Sequence, residues 1–278
     1  MSDSSRKTIL ITGCSSGIGY DAATTLSARG WRVFATCRKR GDCERLLAEG
    51  LESFVLDYAD ESSLELAVAE VKRRTGGRLD ALFNNGAHAL PGAVEDLPRG
   101  GLREIFEVNL FGPFDLMNRC LPMLHASDDA RVVNCSSVLG FAAIPFRGAY
   151  SATKHAMEGL TDTLRRENRN ARVKYILIEP GPIATRIREN AIPHFEKWID
   201  WQSSRRRGFY EKHFRPRLYR TDTKKDPFEL PPSAVTRKLI HALEARRPRH
   251  RYFVTVPTYL ASMIRRLLPT GWQDALLS

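Results

Sequence analysis

Cysteine is scarce in this chain and unorganised. Its five cysteines (Cys14, Cys37, Cys43, Cys120 and Cys135) are odd in number, scattered and free of any CxxC step. That spacing excludes a disulfide framework and a thiolate metal cluster, and it points to free thiols in a reducing compartment, so no metal site is expected. Long apolar runs are also missing: none approaches the ~20 residues a spanning helix needs. The start, Met1-Ser-Asp-Ser-Ser-Arg-Lys, is polar and lacks the apolar stretch of a secretory leader. Repeats of solenoid length and low-complexity tracts are absent as well. A cytoplasmic location is the expectation, with peripheral membrane contact as its one variant.

What is present reads as a globular enzyme-sized chain. At 42% hydrophobic and 27% charged, its 278 residues lie outside both the disordered and the membrane-spanning classes. The length suits one large α/β domain over residues 1–278. The net charge of +11 is unevenly placed: residues 1–183 carry 23 basic and 23 acidic residues, whereas residues 184–278 carry 20 against 9. Such asymmetry suggests either a solvated face or an anionic partner, which could be a phosphate ligand, a membrane surface or nucleic acid.

Short apolar runs alternate with amphipathic stretches. Strands are predicted at Thr8–Thr12, Arg32–Cys37, Glu52–Leu56, Ala81–Asn84, Arg131–Cys135 and Lys174–Ile178. Helices are predicted at Ile18–Arg29, Asp42–Glu49, Glu61–Thr75, Gly101–Leu124 and Tyr150–Asn170. This order means βαβ units and a parallel sheet with helices on both faces, the α/β class, whose ligands sit at the carboxyl ends of the strands. Residues 184–232 break the pattern. There Phe195, Trp198, Trp201, Phe209, Tyr210, Phe214, Tyr219 and Phe228 are interleaved with Arg205-Arg206-Arg207, Arg215, Arg217 and Arg220. A long insertion of this kind reads as a substrate-covering segment or as a peripheral helix pair with aromatic anchors. Residues 251–278 read as a last strand and an amphipathic helix bearing Arg265 and Arg266.

Two clusters carry chemistry. Thr12-Gly13-Cys14-Ser15-Ser16-Gly17-Ile18-Gly19 stands where the first strand hands over to a helix. Glycines there let the backbone approach a pyrophosphate, and the helix N-terminus offers N–H donors to it. At the end of the second strand, Arg38-Lys39-Arg40 lacks the acid that would bind a ribose 2′-hydroxyl. Arg38 suits a 2′-phosphate instead, which favours NADP(H) over NAD(H). The second cluster is Tyr150 with Lys154 four residues on, and Ser137 thirteen residues before the tyrosine. Of the eight tyrosines only Tyr150 has a lysine at that spacing. Positions i and i+4 share a helix face. A nearby ammonium is expected to lower a phenol's pKa from its usual ~10 and make it a proton donor or acceptor near neutrality.

Together these residues resemble the short-chain dehydrogenase/reductase family, over about Thr8 to Thr185. The turn at Gly13, Gly17 and Gly19 is similar to its T-G-x-x-x-G-x-G. Asn84-Asn85-Gly86-Ala87 resembles its N-N-A-G with the last two residues exchanged. Glu179-Pro180-Gly181-Pro182-Ile183-Ala184-Thr185 resembles its P-G motif. Within the family the chain looks like the retinol and hydroxysteroid dehydrogenases and the bacterial NADP-dependent aldehyde reductases.

The resemblance implies a doubly wound Rossmann fold with a mostly parallel seven-stranded sheet. It implies a catalytic set of Asn109, Ser137, Tyr150 and Lys154, with Ser137 rather than Ser136 as the active serine. It implies cofactor contacts from Gly13, Ser15, Ser16, Gly17, Ile18, Gly19, Arg38, Asp57 (at the adenine), Asn85, Gly86, Tyr150, Lys154, Pro180, Gly181, Ile183 and Thr185. Ser137 would hold a carbonyl oxygen and Tyr150 would protonate it. Lys154 would bind the nicotinamide ribose, and Asn109 would hold a water that links Lys154 to solvent. The expected substrate is an apolar aldehyde, ketone or alcohol, and a homodimer or homotetramer through Gly101–Leu124 and Tyr150–Asn170 is expected. A nucleotide-sensing scaffold on the same fold is the alternative, and an intact acid–base set counts against it. No recognition motif supports nucleic-acid binding. Tyr252–Leu268 is the segment suited to an anionic membrane surface.

Overall fold

The computed structural model describes residues 6–220 and 226–277; Met1–Ser5, residues 221–225 of the insertion and Ser278 lie outside the described residues. Seven strands run in chain order as β1 (Thr8–Ile11), β2 (Arg32–Cys37), β3 (Glu52–Val55), β4 (Ala81–Asn84), β5 (Arg131–Cys135), β6 (Lys174–Glu179) and β7 (Arg251–Phe253). They form one sheet in the order β3-β2-β1-β4-β5-β6-β7, and every pairing is parallel. The strand order reverses between β1 and β4, which opens a crevice at their carboxyl ends.

Period-two alternation divides each strand between two cores. Ile9, Ile11, Val33 and Ala35 face α1 (Gly17–Ala28), α2 (Arg40–Ala48) and the helix Ser233–Glu244, where Ala22, Ala23, Leu26, Leu46, Val235 and Leu239 meet them. Leu10 and Phe34 point to the opposite face, against Leu64 and Val71 of α3 (Glu61–Thr75) and Leu116 and Met117 of α5 (Gly112–His125). α3 begins at Asp60, whose carboxylate accepts from the Ser62 N–H at 2.9 Å, and it ends at Gly76 in the left-handed region.

The predicted helix Gly101–Leu124 is interrupted. α4 (Arg99–Phe106) passes into a π turn, Glu107–Phe111, before α5 begins. Asn109 sits inside that turn, which widens the helix where the sequence pattern looks regular. α6 (Gly148–Glu167) carries Tyr150 and Lys154 in its first two turns.

The insertion after β6 builds a third core of its own. α7 (Ile187–Trp198) and a run of short turns over residues 207–218 bring Phe195, Ile199, Tyr210 and Leu218 against Leu90, Ala93, Ile105 and Ala149. Tyr210 is fully buried; its hydroxyl accepts from the Ala93 N–H at 2.7 Å and donates to Asp96 at 2.8 Å. The segment is thus anchored by aromatic side chains along one side. After β7, the helix Val256–Leu267 leaves Val256, Tyr259, Leu260, Met263 and Leu267 exposed along one stripe. Among the described residues no helix is long and apolar enough to cross a membrane.

Candidate active site

The glycine turn closes over the end of β1 by backbone contact. Gly13 has φ +70 and lies so near Gly86 that an added Cβ would stand 2.8 Å from its Cα. A Cβ on Gly19 would collide with the Gly13 carbonyl. The exchanged Gly86-Ala87 pair follows from this crowding. A Cβ at 86 would also press on the Tyr58 ring at 3.0 Å, and the Gly86 N–H donates to the Thr12 hydroxyl at 3.1 Å.

Asn85 fastens the same turn: its N–H donates to Thr12 Oγ1 at 2.9 Å and its Nδ2 to the Thr12 carbonyl at 3.0 Å. Tyr58, buried and absent from the predicted set, bonds Thr12 Oγ1 at 2.7 Å and donates to Asn84 Oδ1 at 2.9 Å. Its place directly after Asp57 was the only signal available. Asp57 accepts from the Ala59 N–H at 3.0 Å.

α1 has no acid in its first turn, so its amino end remains open to an anion. Ser15 is exposed and Ser16, half-buried, caps α1 by position without a side-chain bond. Ile18 packs its side chain into the core. Thr185 approaches from the other side of the turn, its Cγ2 3.0 Å from where a Gly17 Cβ would stand. Pro180 accepts from the Val138 N–H at 2.8 Å, a Cβ on Gly181 would strike Thr255, and Ile183 bridges to Leu230. Ser16, Gly17, Thr185 and Arg188 share a cleft of about 560 Å³. The glycine cradle and the open helix terminus, with Arg186 and Arg188 on the cleft wall, fit a dinucleotide pyrophosphate, although Asp21, Glu189 and Glu229 also line the cleft. Arg38 follows β2, exposed and without an acidic partner among the described residues, whereas Arg40 is held by Glu44 at 3.0 Å.

At the ends of β5 and α6 the structure gathers Ser137, Tyr150 and Lys154. Ser137 stands in extended backbone, accepts from the Leu139 N–H at 3.1 Å and lies within hydrogen-bonding reach of the phenol of half-buried Tyr150. Ser136 turns the other way. It is buried and donates to Glu158 Oε1 at 2.7 Å. Of the two adjacent serines, Ser137 is the one that faces Tyr150.

Lys154 is 2% exposed; its Nζ donates to the Cys135 carbonyl at 2.8 Å and lies 5.6 Å from the centre of the Tyr150 ring. Burial lowers the Lys154 pKa. The phenol behaves oppositely to expectation: its pKa lies above the ordinary tyrosine value, chiefly through burial and then through the charge at Cys135. Ser137 and Arg147 pull it down, and the Lys154 ammonium is not among the opposing causes. The sequence could show the i+4 spacing but not the desolvation that outweighs it.

Asn109 stands in the π turn Glu107–Phe111. Fully buried, it accepts from the His88 N–H at 3.0 Å and donates to the His88 carbonyl at 2.9 Å and to Thr153 Oγ1 at 3.3 Å. Its amide joins the loop after β4 to α6.

A further cluster was invisible in the sequence. His88, Glu104 and His194 place potential metal-ligand atoms within 4.8 Å of one another. The two imidazoles stack at 3.8 Å with 15° between their planes, so neither can aim a lone pair at an ion in the other's plane. Glu104 is taken by His194 at 2.7 Å and by Lys197. These contacts tie α7 to α4; burial pushes the His88 pKa down to about 3.

A family model described as short chain dehydrogenase matches residues 7–195. The chain is 35% identical over 98% of its length to an uncharacterized oxidoreductase, YbbO, of Escherichia coli, of which it covers 94%. It is 34% identical over 98% of its length to retinol dehydrogenase 7 of Mus musculus, of which it covers 87%. The crystal structure of a short-chain dehydrogenase from Streptomyces avermitilis superimposes with a TM-score of 0.77 at 28% identity, over 99% of this chain and 98% of that one. The chain belongs to the short chain dehydrogenase family, oxidoreductases acting on CH–OH groups with a nicotinamide dinucleotide.

Proposed function

We propose that this enzyme reduces the carbonyl of an apolar aldehyde or ketone, or oxidises the matching alcohol, with NADP(H) preferred over NAD(H). The observation that carries the reading is the pairing of the Ser137 and Tyr150 hydroxyls at the mouth of the crevice, with Lys154 buried behind them. Ser137 would hold the carbonyl oxygen, and Tyr150 would give it a proton as charge develops there. The raised pKa of Tyr150 keeps that proton on the phenol at neutral pH, as a donor requires. Lys154, anchored by the Cys135 carbonyl, would bind ribose hydroxyls. Gly13, Gly17, Gly19 and Thr185 would hold the pyrophosphate, and a bound nicotinamide would supply the hydride. The anchored aromatic insertion over residues 184–232 serves as the cover for an apolar substrate body.

Arg38 supports the NADP(H) preference because, at the end of β2, it is a cation with no acidic partner among the described residues. Replacing it by Gln should weaken NADPH binding about tenfold relative to NADH, the loss of one charge-assisted contact. Fluorescence titration of both cofactors checks this, and an unchanged ratio would remove Arg38 from the site. Homo-oligomerisation through α4–α5 and α6 belongs to the same proposal. So does peripheral membrane contact through the stripe from Val256 to Leu267, although Arg265 turns inward to donate to the Phe141 carbonyl. Sedimentation with anionic vesicles tests the membrane contact, and retention in the supernatant would remove it.

A further inference from the structure

Where β5 opens into the crevice, consecutive residues are tied one by one to α6. Asn134 Nδ2 donates to Thr161 Oγ1 at 3.0 Å, and the Cys135 carbonyl accepts from Lys154 Nζ at 2.8 Å. The Ser136 hydroxyl donates to Glu158 Oε1 at 2.7 Å, and Ser137 comes next, against Tyr150. On α6 the partners Tyr150, Lys154, Glu158 and Thr161 follow at i+4, i+4 and i+3 steps, so they form one stripe of the helix.

The rung beside the active serine is the unusual one. Ser136 and Glu158 are both buried, and a buried carboxylate is costly to desolvate unless it is bonded. Glu158 is held from behind by Arg251 of β7, which also donates to Glu179 and, at 2.8 Å, to Asp162. From above, the turn Val138–Gly140 lies directly on the bond. A Cβ on Gly140 would stand 2.5 Å from both Ser136 Oγ and Glu158 Oε1. On the β6 side, the Ser136 and Val138 N–H groups donate to the Ile178 and Pro180 carbonyls, each at 2.8 Å. Ser137 is thus bracketed by two fixed neighbours. It stands in extended backbone, where successive side chains point to opposite sides. Fixing Ser136 inward on Glu158 therefore fixes Ser137 outward.

We propose that Ser136 and Glu158 are positioning residues for the reaction: their buried hydrogen bond, seated under Gly140 and held by Arg251, turns Ser137 outward and sets its hydroxyl against the Tyr150 phenol. Both act through Ser137 and neither touches the substrate. The proposal rests on the reading of Ser137 and Tyr150 given above.

The test is a double-mutant cycle on Ser136→Ala and Ser137→Ala, with kcat and KM on a long-chain aldehyde, NADPH affinity by fluorescence and melting by circular dichroism. Ser136→Ala should lower kcat about ten- to a hundredfold, while KM and NADPH affinity change by less than about threefold. In the Ser137→Ala background the same replacement should cost less than about twofold, since no serine hydroxyl is left to aim. Glu158→Gln should keep most of kcat, because its amide bonds the Ser136 hydroxyl whichever way it is turned. Losses that multiply in the double variant would overturn the proposal, by showing that Ser136 acts otherwise than through Ser137. Wild-type kcat in Ser136→Ala with only a lower melting temperature would overturn it too, as the mark of a bond that serves the fold alone. A fall in Glu158→Gln as deep as that in Ser136→Ala would remove the hydrogen bond as the cause. Wild-type turnover in Ser137→Ala would instead overturn the reading of the site, and the proposal with it.

Discussion

Replacing Tyr150 by Phe should lower turnover by at least three orders of magnitude, while NADPH binding changes less than a few-fold. Among the described residues the phenol is the proton source set against Ser137, and removing its oxygen would leave the carbonyl without that acid as charge develops. The ring itself packs with the third core, so Phe preserves shape and the loss falls on chemistry rather than folding. Lys154 remains pinned to the Cys135 carbonyl in the variant, which is why cofactor affinity should survive. Steady-state kinetics on a long-chain aldehyde, together with a fluorescence titration of NADPH, separate the two quantities. Retained turnover would move the acid to another group.

The second large effect lies behind the serine. Arg251 on β7 donates to Glu158, Glu179 and Asp162, joining α6, β6 and β7 below the active site. Glu179 is fully buried, and its Oε2 has no partner. Replacing Arg251 by Met should cost about 3–5 kcal/mol, because buried Glu158 loses its cation and buried Glu179 loses its hydrogen-bond donor. Urea unfolding followed by circular dichroism would measure it; a loss under about 0.5 kcal/mol would class the cluster with ordinary surface pairs.

The pH dependence has a definite sign. Burial, and then the Glu158 charge, raise the Glu179 pKa above its ordinary 4.5. The folded state therefore holds that proton more tightly than the unfolded one. Its contribution is complete below the ordinary glutamate value and is lost as pH rises through the raised folded value. Glu179→Gln should abolish that slope.

Much of the sheet was legible because buried parallel strands are short apolar runs bounded by glycine and polar residues. Arg32–Cys37, Ala81–Asn84 and Arg131–Cys135 begin and end where the pattern places them. Thr8–Ile11 and Glu52–Val55 stop one residue early, and Lys174–Glu179 runs one further. The π turn around Asn109 was hidden because apolar spacing continues through it while the hydrogen-bond ladder shifts.

The pairing of Tyr150 with Lys154 was readable from their i,i+4 spacing, whereas Ser137 joined them through the family resemblance. The sense of the tyrosine's pKa was not readable, since burial is a property of the fold. Long-range partnerships were likewise out of reach. His88 meets His194, Ser136 meets Glu158 and Arg251 meets Glu179 because the fold brings the loop after β4 to α7, the end of β5 to α6, and β7 to β6.

The pH profile of the forward and reverse reactions tests the central assignment most directly. A phenol that must hold its proton to reduce a carbonyl should give a reduction rate that is level through neutrality and falls on the alkaline side, while alcohol oxidation rises along the same limb. A reduction rate that climbs with pH, or an oxidation rate indifferent to it, would contradict a proton carried by Tyr150.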